Sequence, residues 1–396
     1  MEIFFWLGLL IILYTYIGYG AVLFLIVRLK RLFRRGGRAG EDRQGADADT
    51  LPSCTVIVAA YNEAPVIEEK IRNTLALSYP EGKLNYCFVT DGSTDATPDI
   101  VRQFPQVSLL HDDVRNGKIA AVHRAMAQAT SEIVVFTDAN TLLNTDALLE
   151  ICKHYVDPQV GAVAGEKRVH SDDRADASAA GEGFYWKFES ALKRWDSEWH
   201  TVVGSAGELF SIRRALYEPV PPDTVLDDFM ISMRIAERGH RVVYEPAAYA
   251  TEMASENVRE ELKRKIRIAA GGIQSILRLK RAPNFLADPV LAFQYVSHRV
   301  LRWTVTPVML VAVFVVNAIL HMRGACLVYT LLFYGQLAFY VCALVGLLLE
   351  RKELRLKLLF VPYYFCVMNY AVMAGMVRYF GSGQSAVWER SNRKQG

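Results

Sequence analysis

Four short stretches of this 396-residue chain carry side chains suited to chemistry on a charged, oxygen-rich ligand. Tyr61-Asn62-Glu63, Asp91-Gly92-Ser93 and Asp138-Ala139-Asn140 each follow a short β-rich run and bring a carboxylate to its end. Taken singly, each has an ordinary explanation: Asp-Gly-Ser is a turn signal, and Asp138 or Asn140 would cap a following helix. All of them at successive strand ends, facing one crevice, point instead to a binding site. The fourth stretch, Leu226-Asp227-Asp228-Phe229, opens a helical pattern over 229–238. Paired carboxylates there either cap the helix and complement its dipole or act on a substrate.

Two further segments carry polar chemistry. Val203-Gly204-Ser205-Ala206-Gly207-Glu208 leads into a β-rich run over 208–212 and reads as a tight turn whose glycines permit close backbone approach. Residues 260–279 form an amphipathic basic helix containing Arg264-Lys265-Ile266-Arg267-Ile268, suited to lying on an anionic leaflet. Between them in kind, Tyr185, Trp186, Phe188 and Trp195 recur at helical spacing, as core or interface packing or as a platform for sugars.

The elements that must position these residues alternate. Strands are expected at 54–60, 85–89, 107–110 and 132–137, and helices at 65–77, 95–104, 118–129 and 145–155. That rhythm predicts an α/β domain over 51–255, its sheet mostly parallel with helices on both faces. In such sheets ligands bind beyond the carboxyl ends of the strands, where the acidic clusters fall.

The two ends of the chain are of a different kind. Residues 3–27 carry no charge, about 37 Å of helix at about 1.5 Å per residue, enough to cross a bilayer. Glu2 stands where a signal peptide would be positive, so 1–28 reads as a transmembrane helix. Arg28, Lys30, Arg31, Arg34 and Arg35 follow, placing the next segment in the cytosol by the positive-inside rule. A polar linker over 29–50, amphipathic interfacial helices over 256–302, three apolar segments within 303–380 and a basic tail over 381–396 complete the chain. Pro362 and Asn369 leave the last segment open to a re-entrant as well as a spanning path. With 45 basic against 42 acidic residues, the balance excludes a nucleic-acid binder driven by bulk charge. The six cysteines lack Cys-x-x-Cys spacing and read as reduced.

On these motifs the chain resembles the membrane-embedded family-2 glycosyltransferases of GT-A (Rossmann-like) fold, the group containing cellulose, hyaluronan and poly-N-acetylglucosamine synthases. The resemblance extends over nearly the whole chain, flanking membrane segments included. It implies that Tyr61, Asn62, Glu63, Asp91, Ser93, Lys118 and Arg264 bind a UDP-sugar. Asp138 and Asn140 stand at the DxD position, where Mg2+ or Mn2+ meets the diphosphate, Asn140 replacing the second carboxylate. Asp228 stands at the last acid of Thr-Glu-Asp, the general base, with Asp227 beside it. Gly204, Ser205 and Glu208 occupy the acceptor segment. Arg267 matches the arginine of Gln-x-x-Arg-Trp, whose Gln and Trp are here Arg264 and Ile268, and would face the leaving diphosphate. Trp388-Glu389-Arg390 resembles a C-terminal motif of the hyaluronan synthases. The expectation is an inverting enzyme in the plasma membrane, its catalytic domain cytosolic, extending an extracellular or capsular β-linked polysaccharide with possible export partners and no nucleic acid. Single-sugar transfer to a lipid carrier or glycolipid is the alternative, and a non-catalytic nucleotide-sugar sensor or scaffold is the alternative of another class.

Overall fold

The computed structural model describes residues 1–34, 50–170, 177–253, 258–350 and 357–382. The uncharged N-terminal stretch folds as one continuous rod: α1 (Glu2–Leu13), a π-helical turn (Tyr14–Gly18) and α2 (Tyr19–Arg34). Lys30 and Arg31, expected in a linker, are helical because their side chains find partners on the globular domain. Lys30 Nζ donates to the carbonyls of Glu198 and Trp199 at 2.6 and 2.9 Å, and Arg31 pairs with Glu198 at 2.6 Å. The remainder of the linker at 36–49, the side chains of Tyr185 and Trp186, and the Trp388-Glu389-Arg390 motif with nearly all of the basic tail lie outside the described residues.

The soluble domain is built on an eight-stranded sheet in the order β3-β2-β1-β4-β7-β6-β8-β5. The first half follows the expected alternation: β1 (Cys54–Ala60), α3 (Ile67–Leu75), β2 (Leu84–Asp91), α4 (Thr97–Arg102), β3 (Ser108–Asp112), α5 (Lys118–Gln128) and β4 (Ile133–Asp138). Every residue of β1 is buried because both faces of the strand are covered. Val56 and Val58 pack with α3 on one side, while Ile57 and Ala59 pack with α5 on the other.

The second half departs from expectation. A short β5 (Thr141–Leu143) precedes α6 (Ala147–Cys152), shortening the helix expected from 145 to 155. Two long strands, β6 (Val160–His170) and β8 (Arg241–Met253), escape the pattern because their apolar and charged residues do not alternate. Between them in sequence come α7 (Ala177–Trp199), β7 (Phe210–Arg213) and α8 (Asp227–Glu237). The pairs β1–β2, β2–β3, β1–β4 and β6–β8 are parallel. β7 inserts antiparallel between β4 and β6, and β5 pairs antiparallel with β8, so the sheet is mixed.

Beyond the sheet come α9 (Val258–Arg278), α10 (Pro289–Tyr295), α11 (Leu301–Trp303), α12 (Val305–Met322), α13 (Leu327–Glu350) and α14 (Lys357–Ser382). Four helical segments, Glu2–Phe33, Val305–Met322, Leu327–Glu350 and Leu358–Gly381, are long and apolar enough to cross a membrane. α9 sits between domain and apolar helices. A Cβ on its Gly271 would come within 2.8 Å of Val225, and one on Gly375 of α14 within 2.6 Å of the Ala269 Cβ.

A buried polar cluster joins the N-terminal rod to the domain. Tyr19 donates to Asp196, which also accepts from Gln294 Nε2 at 2.9 Å and faces His298 Nδ1 at 2.8 Å. Glu189 pairs with His298, Arg299 and Arg302 at 3.2, 3.1 and 2.8 Å. Trp195 and Phe188 pack beside Tyr19 and Leu23, so these two aromatics serve the junction core.

Candidate active site

The three acidic clusters do meet at one sheet edge, because β2, β1 and β4 are neighbours. After β1, Asn62 takes φ +54°, and among the described residues it alone, glycines apart, lies at positive φ. Its carboxamide oxygen accepts from Thr94 N at 2.8 Å, and its own N–H donates to Ser93 Oγ at 3.2 Å, stitching the β1 and β2 ends together. Glu63 is buried beside them, its N–H on Thr97 Oγ1 at 2.8 Å.

Asp91 anchors the next turn. Its Oδ2 accepts from the Asn116 and Gly117 N–H groups at 2.8 and 2.5 Å, and its Oδ1 from Arg124 at 2.9 Å. Gly117 adopts φ +97°, releasing the chain into α5 so that Lys118 heads the helix. The Arg115 guanidinium lies 3.9 Å above the Tyr61 ring, a cation–π stack at the mouth of a cavity lined by Ala60, Tyr61, Asp91, Arg115, Gly117 and Lys118.

Lys118 gathers the remaining acids. Its Nζ donates to Asp138 Oδ1 at 2.9 Å and lies 3.5 Å from Asp227 Oδ2. Burial alone would pull this ammonium down, but the charges of Asp138, Asp227 and Asp228 hold it above the usual lysine range. One point in the cleft locates the convergence. A Cβ added to Gly207 would lie 3.5 Å from Asp228 Oδ2, 3.6 Å from Lys118 Nζ and 3.8 Å from Asp138 Oδ2.

The acids open α8 in its first turn rather than ahead of it. Burial, reinforced by the neighbouring Asp227 charge and opposed by Lys118, pushes the Asp228 carboxyl up to about 7. A carboxylate near that value is poised to take a proton at neutral pH. α9 braces the approach: Gln274 accepts from Val225 N at 3.0 Å and donates to the Asp223 carbonyl at 2.9 Å. Arg267, on the same helix, feels Asp227 and Asp138, while burial draws its guanidinium down from its ordinary value. Arg264 pairs with Glu261 at 3.2 Å and approaches Glu252 at 3.9 Å, and its charge is felt at Glu208 and Arg267.

The Gly204–Glu208 segment runs past Asp228. Gly204 holds φ +98°, and a Cβ there would stand 2.1 Å from the Phe229 ring. Ser205 donates its N–H to Ser232 at 3.0 Å, while its buried Oγ has no hydrogen-bond partner among the described residues. Glu208 is ion-paired with Lys167, which also pairs with Glu252. Burial opposes the Glu208 charge, but Lys167 outweighs it and keeps the carboxyl below the usual range.

Among the described residues no group of three or more His, Cys, Asp or Glu side chains is placed to hold a metal by protein ligands alone. The donors present, Asp138 with Asn140 nearby and Asp227–Asp228 across the gap, are all oxygens. That set suits Mg2+ or Mn2+, which take one or two carboxylates and complete their shell from phosphate and water.

Sequence reasoning missed Lys167, Glu252, Arg124 and Lys70. The last had a visible signal: a lysine on the apolar stripe of α3, between Ile67, Ile71 and Thr74.

Residues 55–220 match the family model described as Glycosyl transferase family 2. The poly-beta-1,6-N-acetyl-D-glucosamine synthase of Staphylococcus aureus (strain COL) is 28% identical over 244 residues, 59% of this chain and 57% of that protein. The synthase of the same name from Staphylococcus epidermidis is 25% identical over 232 residues, covering 56% and 55%. The chain thus spans a little over half the length of these relatives. A mannosyltransferase from Pyrobaculum calidifontis, solved in complex with GDP-Man and Mn2+, is similar at TM-score 0.71 and 26% identity, covering 96% of this chain and 100% of that one. The mixed sheet with its flanking helices is a GT-A fold.

Proposed function

We propose that this protein, whose residues 55–220 match the Glycosyl transferase family 2 model, moves a sugar from a UDP-sugar, with inversion, onto a growing extracellular or capsular β-linked polysaccharide. The observation that carries this is the convergence of Asp228, Lys118 and Asp138 within 4 Å of one point beside Gly207. That proximity supports Asp228 as base, Lys118 as cation and Asp138 as metal ligand of one reacting centre.

Tyr61 and Arg115 receive the base, and Lys118 and Arg267 meet the diphosphate. The acceptor hydroxyl lies along Gly204–Glu208, where the Ser205 Oγ is available to orient it. Asp228 takes the hydroxyl proton as the acceptor oxygen attacks the anomeric carbon. The bond from that carbon to the diphosphate oxygen breaks, and its electron pair leaves with UDP. Attack from the face opposite the leaving group turns an α-linked donor into a β-linked product. Asp138, with Asn140 beside it, would hold a divalent metal, which when bound would supply positive charge to the developing diphosphate. Lys118 and Arg267 add fixed charge there, and the guanidinium matches phosphate geometry. The catalytic domain faces the cytosol of the inner membrane, where nucleotide sugars are made, and the apolar helices offer a route for an exported chain with or without partner proteins.

A second reading is favoured by one observation: the whole-chain likeness to a mannosyltransferase solved with GDP-Man and Mn2+. On this reading the present chain makes a single-sugar product on a lipid carrier or glycolipid, and its donor base is guanine. Nucleotide release from lipid-reconstituted protein with Mn2+, across UDP-sugars and GDP-mannose, tests both readings. Release with one donor, lost in Asp228→Asn, supports the transferase, and product size separates polymer from glycolipid. No release with any donor, despite metal-dependent nucleotide binding, would refute it in favour of a sensor.

A further inference from the structure

The floor of the cleft contains a lysine that the chemistry above does not use. Lys70 lies on the buried stripe of α3 with 0% of its surface exposed. Burial pulls its amine down to about 7 against the charge of Asp138, and a polar group so buried is tolerated only when hydrogen bonds compensate its desolvation. Its partners all belong to the loop that carries Asp138. Nζ donates to Thr137 Oγ1 at 2.9 Å and to the Thr141 carbonyl at 2.7 Å, gripping the residues on either side of Asp138-Ala139-Asn140.

The grip continues into both halves of the site. Thr137 Oγ1 also donates to the Glu208 carbonyl at 2.9 Å, next to Gly207. Thr141 Oγ1 donates to the Asp138 carbonyl at 2.9 Å and lies 3.1 Å from Thr137 Oγ1. One turn along α3, Asn73 bonds Leu143 in both directions, its Oδ1 accepting from the Leu143 N–H at 2.8 Å and its Nδ2 donating to the carbonyl at 2.9 Å. One face of α3 therefore clamps the whole β4–β5 excursion, and Lys70 is the amine-bearing member of that clamp.

We propose that Lys70 is a positioning residue for metal and diphosphate binding, fixing the Asp138–Asn140 loop and tying it through Thr137 to the acceptor segment at Glu208. The inference rests on the assignment of Asp138 as a metal ligand made above. Its physical content is preorganisation: a first ligand held by locked second partners binds a cation without first being ordered.

The test measures Mn2+ binding directly, by electron paramagnetic resonance of free Mn2+ titrated into lipid-reconstituted full-length protein at saturating UDP. Lys70→Met keeps the length of the side chain and removes the amine and both its hydrogen bonds. Thr137→Val leaves Lys70 in place and removes the hydroxyl that relays to Glu208. The expected result is an Mn2+ dissociation constant raised about tenfold or more in Lys70→Met and by a smaller factor in Thr137→Val, the usual scale for losing an outer-shell partner. The Mn2+ concentration for half-maximal turnover rises in parallel, while kcat at saturating Mn2+ stays within about threefold of wild type. A merely structural loss would lower the folded fraction and the melting temperature but leave the affinity of the folded protein unchanged. If Lys70→Met does not fold, Thr137→Val carries the measurement. Unchanged Mn2+ affinity in the folded variants overturns the inference alone. Absence of Mn2+ binding with UDP in the wild type overturns the site assignment and the inference with it.

Discussion

Replacing Gly204 by alanine tests whether the acceptor segment and the base form one packed unit. The substitution has two costs that the structure separates. At φ +98° an L-residue is strained by about 1–2 kcal/mol. The new Cβ would also lie 2.1 Å from Phe229 Cδ2 and 2.3 Å from Cε2. Ordinary carbon contacts lie at about 3.5–4.0 Å, so the ring must retreat by more than about 1 Å. Phe229 follows Asp228 directly in the first turn of α8, so that movement is passed to the base. A displacement of about 1 Å costs on the order of 10²-fold in rate. Gly239→Ala supplies the control, since Gly239 has φ +85° with nothing within 4 Å of an added Cβ. It should lower the melting temperature by about 2–8 °C through backbone strain alone, with kcat unchanged. Gly204→Ala should lower kcat about 10²-fold while metal–nucleotide binding persists, because Asp138 and Lys118 are untouched. Nucleotide release, read with thermal melts of both variants, decides the matter. If Gly204→Ala retains kcat within about threefold of Gly239→Ala, the packing argument is wrong.

Three other outcomes follow from the same geometry. Asp228 must be ionised to accept a proton, and burial with the Asp227 charge raises its carboxyl to about 7, so kcat/KM should climb with pH and level off above that value. Asp227→Asn should move the midpoint to lower pH, and a midpoint that stays put or rises would contradict the cause assigned here. Lys118→Met takes an ammonium away from Asp138 and Asp227 and should raise donor KM about tenfold, with the pH midpoint moving upward. An unchanged midpoint would mean that Lys118 does not act on Asp228. Chelation of divalent metal should abolish turnover and added Mn2+ or Mg2+ should restore it, so full activity in excess chelator would remove Asp138 from the role of metal ligand.

What the sequence disclosed was whatever local pattern and strand adjacency could carry. β1, β2 and β4 were legible as apolar runs, and their polar successors fall together because those strands pair in the sheet. The antiparallel insertion of β7 and the lengths of β6 and β8 were not legible, since pairings between residues such as Ala164 and Phe210 leave no periodic trace. The same holds for side-chain partners. Lys167 and Glu252 are both buried, but nothing local marks either as the companion of Glu208. Arg124 lies 33 residues from the Asp91 it holds. Asp228 was readable as an acid at a helix start, whereas its raised carboxyl depends on burial that only the assembled fold provides.

The cluster around Asp196 and Glu189 also bears on where this protein can be cut. Asp196 and His298 are fully buried, and Tyr19 closes the cluster from the N-terminal rod. Its other flank, Arg299, donates Nε to the Val203 carbonyl at 2.9 Å, beside Gly204. A truncation beginning near residue 50 would discard Tyr19, leave Asp196 short of a partner and open the packing around Leu192. Removing a hydrogen-bond donor to a buried charge costs about 1.5–3 kcal/mol, a sizeable share of the stability of an ordinary domain. The apolar rod is therefore part of the catalytic domain's foundation as well as its tether. A fragment made by deleting it should be judged by its acceptor binding before its inactivity is read as a property of the enzyme.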